Sequence, residues 1–365
     1  MLPETLQPDA ILGRRSRLQA RLKAAKRAFT TRRVNFDDCA RLIRSNVTPR
    51  TGDLVLARVA SVGQHGRIEN IHGRRGALFV GDEIVVAYGN RYAPDQFEAY
   101  VPTDMSSCHL VAGGGVAAMM KTRHSAMKMP TVIEPVGLIA DADSLPINLS
   151  RYALPSHPLK KRNRPYTIAV AGSSMNAGKT TTVASIVRGL TLAGLKVGTA
   201  KLTGTGSGGD LWSMIDSGAA TAIDFTDAGH ASTFGLHGIA LSLISERLLG
   251  ALSDDGVDVA VVEIADGLFQ KETANLLEIA KDNGWFDTVI FAAGDAMGAT
   301  FGVNWLIERG HNVTSISGLV SASPLASREA EIATGMHVAT IAELTDPIEV
   351  TKLVFPEMET KRKVA

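Results

Sequence analysis

One stretch constrains this chain more than any other: Thr167-Ile-Ala-Val-Ala-Gly-Ser-Ser-Met-Asn-Ala-Gly-Lys-Thr-Thr-Thr182. Its first five residues read as a short buried strand, Gly172 to Gly178 as a tight loop, and the residues from Lys179 as a helix. A strand that runs through a glycine loop into a helix aims backbone N–H groups and the positive end of the helix dipole at one point. That point suits an anion. Lys179 adds a full charge for β- and γ-phosphates, and the Thr180 hydroxyl is a ligand for Mg²⁺. The expected nucleotide contacts are therefore Gly172, Ser173, Ser174, Met175, Asn176, Ala177, Gly178, Lys179, Thr180 and Thr181.

The flanking pattern supports the loop. Strand candidates at 167–171, 196–201, 257–264, 288–293 and 312–320 alternate with helical segments at 180–193, 236–253, 273–283 and 302–309. Repeated strand–helix units with near-continuous apolar strands predict a parallel sheet covered on both faces. The expected fold is α/β, a parallel-sheet phosphate-loop domain over 166–365 preceded by a basic helical segment and a small β-rich domain. Ser150–Pro165, rich in proline and basic residues, reads as the linker, placed at 151–165.

Residues 1–45 read as a basic helical arm carrying Arg14, Arg15, Arg17, Arg21, Lys23, Lys26, Arg27, Arg32 and Arg33. Leu18, Leu22, Ala25 and Phe29 recur at helical spacing. Such a helix either reaches an anionic surface or packs its stripe on the body of the protein or on a second subunit. The lack of interleaved aromatic residues favours packing. Residues 46–150 change to short β-branched runs at 53–62, 67–71, 77–80 and 83–88, the pattern of a small twisted sheet or barrel. The segment Gly89–Glu98 suits a binding loop or an ordered connection, and Cys108–Met120 reads as strand, triple-glycine turn and helix start.

Composition narrows the partners. The net charge of +1 gives no pull toward nucleic acid, and no apolar run approaches the ~20 residues a membrane span needs. Cys39 and Cys108, the two cysteines, form no CxxC pair, which fits a reducing cytoplasm rather than a disulfide or zinc framework.

Further residues carry a family resemblance. Gly172 and Gly178 enclose five residues where the common loop has four, and Gly-Lys-Thr follows. In that spacing the chain resembles dethiobiotin synthetase and its relatives over 166–345. Lys201-Leu-Thr-Gly-Thr-Gly206 is similar to a family segment whose lysine lies beside substrate and phosphates, and Val261-Val-Glu-Ile-Ala-Asp-Gly267 to one whose glutamate supports Mg²⁺. The resemblance implies roles for Lys201 and Glu263, with Asp266 an added acid. Independently, an acid at the carboxyl end of a parallel strand sits where ligands bind. Gly209–Ala219 is similar to the molybdopterin-guanine dinucleotide biosynthesis adaptor and makes Asp210 a candidate Mg²⁺ or substrate contact. Asp216 would lie on the same helix, turned away. Asn312–Pro324 falls where the base is recognised, but Ser321 and Ser323 replace the family's asparagine. The nucleotide stays ATP or GTP, with Ser321 the expected base contact. A third likeness, to poorly characterised two-domain proteins with this loop, rests on Glu263–Phe269.

Together these imply an Mg²⁺-dependent ATP-using ligase or kinase that activates a small carboxylate or carbamate, working as a homodimer. The alternative is a nucleotide-dependent adaptor acting on a protein partner. The polar run Asp224–Thr233 and His237 suit an acceptor-substrate loop, with His230 as an acid/base or as a structural residue.

Overall fold

The computed structural model describes residues 8–156, 159 and 164–355. The start of the expected arm, the side chain of Arg14, the basic run 160–163 of the expected linker and residues 356–365 lie outside the described residues. The chain divides into two units. The first comprises Met1–Ala153, Thr205–Gly208 and Thr226–Phe234; the second comprises Leu154–Gly204, Gly209–Phe225 and Gly235–Ala365. No helix among the described residues is long and apolar enough to cross a membrane.

The first unit opens with α1 (Pro8–Ala24), followed by β1 (Lys26–Arg27), β2 (Arg41–Ile43), β3 (Leu54–Ser61), β4 (Arg67–Glu69), β5 (Arg75–Ala77), β6 (Glu83–Tyr88), β7 (Arg91–Tyr92), β8 (Phe97–Tyr100), β9 (Cys108–Ala112), β10 (Val116–Arg123) and β11 (Thr131–Ala140). Strands β6, β3, β11, β9 and β10 pair in that order, and a parallel pairing of β10 with β6 closes them into a ring. Side chains alternate across each strand. Leu54 and Leu56 of β3 pack with Leu18 and Leu22 of α1, whereas Val55, Ala57 and Val59 join Ile84, Val86, Leu110 and Ile133 in a separate core. The helix stripe is thus buried on the body.

Two expectations change here, and a third segment takes one of its two expected forms. The helix ends at Ala24 rather than near 45, because Lys26 and Arg27 pair with Ile84 and Val85 of β6 and the chain continues as short turns and strands. Long-range pairing overrides the helical periodicity of that stretch. Cys108–Met120 is a β-hairpin, with a second strand where the helix start was expected. Its Gly115 takes φ +99°, and a Cβ there would stand 2.0 Å from the Ala28 Cβ, so the glycines serve the turn and a close approach. Gly89–Glu98 is an ordered connection: Arg91 and Tyr92 of β7 pair with Ala99 and Glu98 of β8.

The second unit contains β12 (Tyr166–Gly172), α2 (Lys179–Leu192), β13 (Val197–Lys201), α3 (Gly209–Asp216), β14 (Thr221–Asp224), α4 (Gly238–Asp254), β15 (Val259–Glu263), α5 (Lys271–Asn283), β16 (Thr288–Ala292), α6 (Ala296–Glu308), β17 (Val313–Ser317), α7 (Pro324–Thr334), α8 (Ile341–Thr345) and α9 (Pro347–Val354). Its sheet runs β14-β13-β15-β12-β16-β17, parallel throughout. Every residue of β15 and β16 is buried, as is β12 after Tyr166, so both faces of the central strands are covered. β14 at the edge was not among the expected strands: its four residues, Thr221–Asp224, lack an apolar run and become a strand by pairing with β13. The fold is α/β, with a parallel-sheet P-loop domain after a basic helix and a β-rich region.

Candidate active site

The loop from β12 to α2 is held by backbone contacts on several sides. Ser173 N donates to Ala292 O at 2.9 Å, and Leu319 N donates to Ala177 O at 3.0 Å. Gly318, at φ +93°, approaches so closely that a Cβ there would meet Ala177 O at 2.3 Å. Four non-glycine residues among those described have positive φ, and two of them, Asn176 and Asp266, stand here. Left-handed backbone outside glycine costs energy and concentrates at functional turns.

Lys179 is 6% exposed. Its ammonium donates to Ser174 O and to Asp266 O, each at 2.7 Å, and so ties the loop to the end of β15. Burial lowers its pKa below the ordinary range, against the pull of Glu263, Asp266 and Asp210.

Beside it, three strand–helix units bring charged groups together. Lys201 and Glu263 are register partners at the carboxyl ends of adjacent strands, β13 and β15. Asp210 enters from the first turn of α3. The Lys201 ammonium is bonded to Asp210 Oδ2 and lies 3.2 Å from Glu263 Oε1. Thr180 Oγ1 donates to Asp210 Oδ1 at 3.1 Å. Burial would lower Lys201, but the charges of Glu263 and Asp210 outweigh it and hold the ammonium above its usual range. For Asp210 burial is outweighed in turn, and Lys201 keeps the carboxyl below the usual carboxylate range. Glu263 goes up, because its burial exceeds the attraction of Lys201.

The structure thus gathers five of the expected site residues: Lys179, Thr180, Lys201, Asp210 and Glu263. Others stand apart. Ser321 Oγ donates to Gly318 O at 2.8 Å, within its own 3₁₀ turn, and Ser323 caps α7. Asp216 is exposed at the end of α3. His237 is the N-cap residue of α4, and His230 lies in Thr226–Phe234, which groups with the first unit. Sequence reasoning missed the carbonyls of Ser174 and Asp266 as partners of Lys179. The dipeptide Asp266-Gly267 after a strand was the available turn signal.

The residues present fit a magnesium ion. Glu263 is 2% exposed, and its Oε2 has no hydrogen-bond partner among the described residues. Two carboxylates and a hydroxyl suit Mg²⁺, which keeps waters and takes phosphate oxygens for the rest of its shell. No group of three or more His, Cys, Asp or Glu side chains among the described residues is arranged to hold a metal by itself.

No protein-family model matches the chain, and no curated protein matches it. Among solved structures it is similar to the signal recognition particle 54 kDa protein of Aeropyrum pernix K1, solved with GDP, at 18% identity and TM-score 0.36, over 56% of this chain and 49% of that one. It is also similar to the signal recognition particle receptor FtsY of Elizabethkingia anophelis, at 17% identity and TM-score 0.36, over 55% and 67%. The kinase domain of the Escherichia coli tyrosine kinase ETK matches at 13% and 0.32, over 43% and 68%. The chain spans about half the length of the first of these. None of these likenesses bears on the chemistry of the site. The glycine loop between β12 and α2 and the parallel sheet that carries it give the second unit the architecture of a P-loop fold.

Proposed function

We propose that the second unit binds a nucleoside triphosphate with Mg²⁺ and cleaves or transfers its γ-phosphoryl group. The observation that carries this reading is the set Lys179, Thr180, Lys201, Asp210 and Glu263, gathered from four elements at the carboxyl ends of parallel strands beside the glycine loop. In such sites catalysis is positioning and charge neutralisation. Lys179 and the loop N–H groups hold the β- and γ-phosphates. Thr180, Asp210 and Glu263 would hold Mg²⁺, which would supply positive charge to the phosphates. Lys201 faces the reacting oxygen. The resemblance at Lys201 and Glu263 supports an ATP-dependent ligase or kinase acting on a small carboxylate or carbamate.

A second reading, a nucleotide-dependent adaptor, has one observation in its favour. The segments Thr205–Gly208 and Thr226–Phe234, which follow β13 and β14 in sequence, belong to the first unit. A change at Lys201 has four residues to travel before it enters that unit.

A thermal-shift screen of ATP, GTP, CTP and UTP, each with and without Mg²⁺, tests the common part. A ligand at 100 times its Kd stabilises by about 2.7 kcal/mol. One purine nucleotide with Mg²⁺ is expected to raise the melting temperature, and the absence of a shift with all four would end the reading. Phosphate release that starts when small carboxylic acids are added supports the ligase or kinase.

A further inference from the structure

The two carboxylates assigned to Mg²⁺ already hold a cation in this structure, and it is Lys201. Its ammonium bridges Asp210 Oδ2 and Glu263 Oε1, and the same Asp210 takes the Thr180 hydroxyl on its other oxygen. The bridge is incomplete. Glu263 Oε2 is buried without a hydrogen-bond partner among the described residues, so the ammonium neutralises the acid pair while leaving one buried oxygen bare. A tetrahedral ammonium has three donors on a flexible stem, whereas Mg²⁺ demands an octahedral shell of oxygens. Two cations within ~4 Å of each other repel strongly in a site of low dielectric. They compete for this acid pair.

Gly204 packs against the Lys201 stem. At φ +136° it presents no side chain to it, and a Cβ there would stand 3.0 Å from the Lys201 Cε. We infer that Lys201 is a built-in counter-ion that occupies the metal position and excludes free divalent cations until a nucleotide brings one. Displacement then frees the ammonium for the phosphoryl group. The last step rests on the nucleotide reading; the competition between Lys201 and the metal does not.

The test uses Mn²⁺ alone, with the full chain free of nucleotide, and follows free Mn²⁺ by electron paramagnetic resonance. Lys201→Met is expected to tighten Mn²⁺ binding at least about tenfold over the unsubstituted protein, the effect of removing a like charge from the site. Lys201→Arg keeps the charge and is expected to leave Mn²⁺ binding weak. Adding Glu263→Gln to Lys201→Met should abolish the gain. Equal Mn²⁺ affinity in Lys201→Met and the unsubstituted protein overturns the inference. Where the methionine variant does not fold, Lys201→Gln, which keeps a donor for the acids, is held to the same outcomes. The two claims separate cleanly. A null result in the nucleotide screen leaves the Mn²⁺ comparison standing, and unchanged Mn²⁺ affinity with intact nucleotide binding removes the competition alone.

Discussion

In the ring of the first unit, charged pairs sit at the rim. Arg21 with Glu83, Lys26 with Asp82 and Lys121 with Glu98 keep between 20% and 63% of each side chain exposed. Arg32 with Asp227 is more enclosed, at 14% and 6%. In the parallel sheet of the second unit the charges go inward instead, with Lys201 at 14% and Glu263 at 2%. Rim pairs contribute about 0–1 kcal/mol, whereas taking an ion out of water costs several kcal/mol that its partner only partly offsets. A lysine and a glutamate buried side by side are therefore poor choices for stability. Apolar side chains of similar volume would serve the sheet as well or better. Their presence side by side at the ends of β13 and β15 is what a binding site needs.

The sharpest way to break this comparison is to remove the charge that the loop is built around. Lys179→Ala is expected to lower nucleotide turnover roughly 10³-fold, with the far-ultraviolet circular dichroism spectrum unchanged. Full activity in that variant would mean the buried charges of the second unit are structural after all.

The ring should respond in the opposite sense, through stability and not chemistry. Gly115→Ala places a methyl against Ala28 and forces a left-handed alanine, and should cost about 3 kcal/mol of unfolding free energy. Chemical denaturation measures it. A change below about 0.5 kcal/mol, the range of neutral surface substitutions, would show that the triple-glycine turn is looser than it looks.

A smaller effect comes from acid. Burial, with the Lys281 ammonium nearby, pushes the His311 imidazole down to about 4 from its ordinary 6.5. Because the folded value is depressed, the neutral histidine contributes stability that is complete above pH 6.5 and is lost as pH falls toward 4. By pH 5 the loss should reach about 2 kcal/mol, and His311→Leu should flatten that part of the pH–stability curve. An equal slope in the variant would place the acid sensitivity elsewhere, for instance at His65 of the first unit, which burial also pushes down to about 4.

Much of the second unit was legible beforehand because its signals are local. Gly172, Gly178, Lys179 and Thr180 act within one turn of chain, and each main strand is a compact apolar run. β14 was not legible, since Thr221–Asp224 has no such run and is a strand only through its neighbour. Nor was the hairpin at Cys108–Arg123, where a triple glycine allows a strand–helix turn as readily as a strand–strand one. The helix of the basic region was overextended for the same reason: beyond Ala24, pairing with β6 decides, and β6 lies 60 or so residues away.

The sequence by itself determined the glycine loop, its lysine and threonine, and the alternation that makes a parallel sheet. These depend on residues a few positions apart, where periodicity and backbone sterics operate. Only the tertiary structure decided that Lys201 and Glu263 are register partners, that Asp210 meets Thr180, and that a lysine holds the acids expected to carry the metal. Those contacts join residues 9, 30 and 62 positions apart on different strands and helices, and side-chain geometry between elements is set by sheet register and packing, which no local pattern encodes.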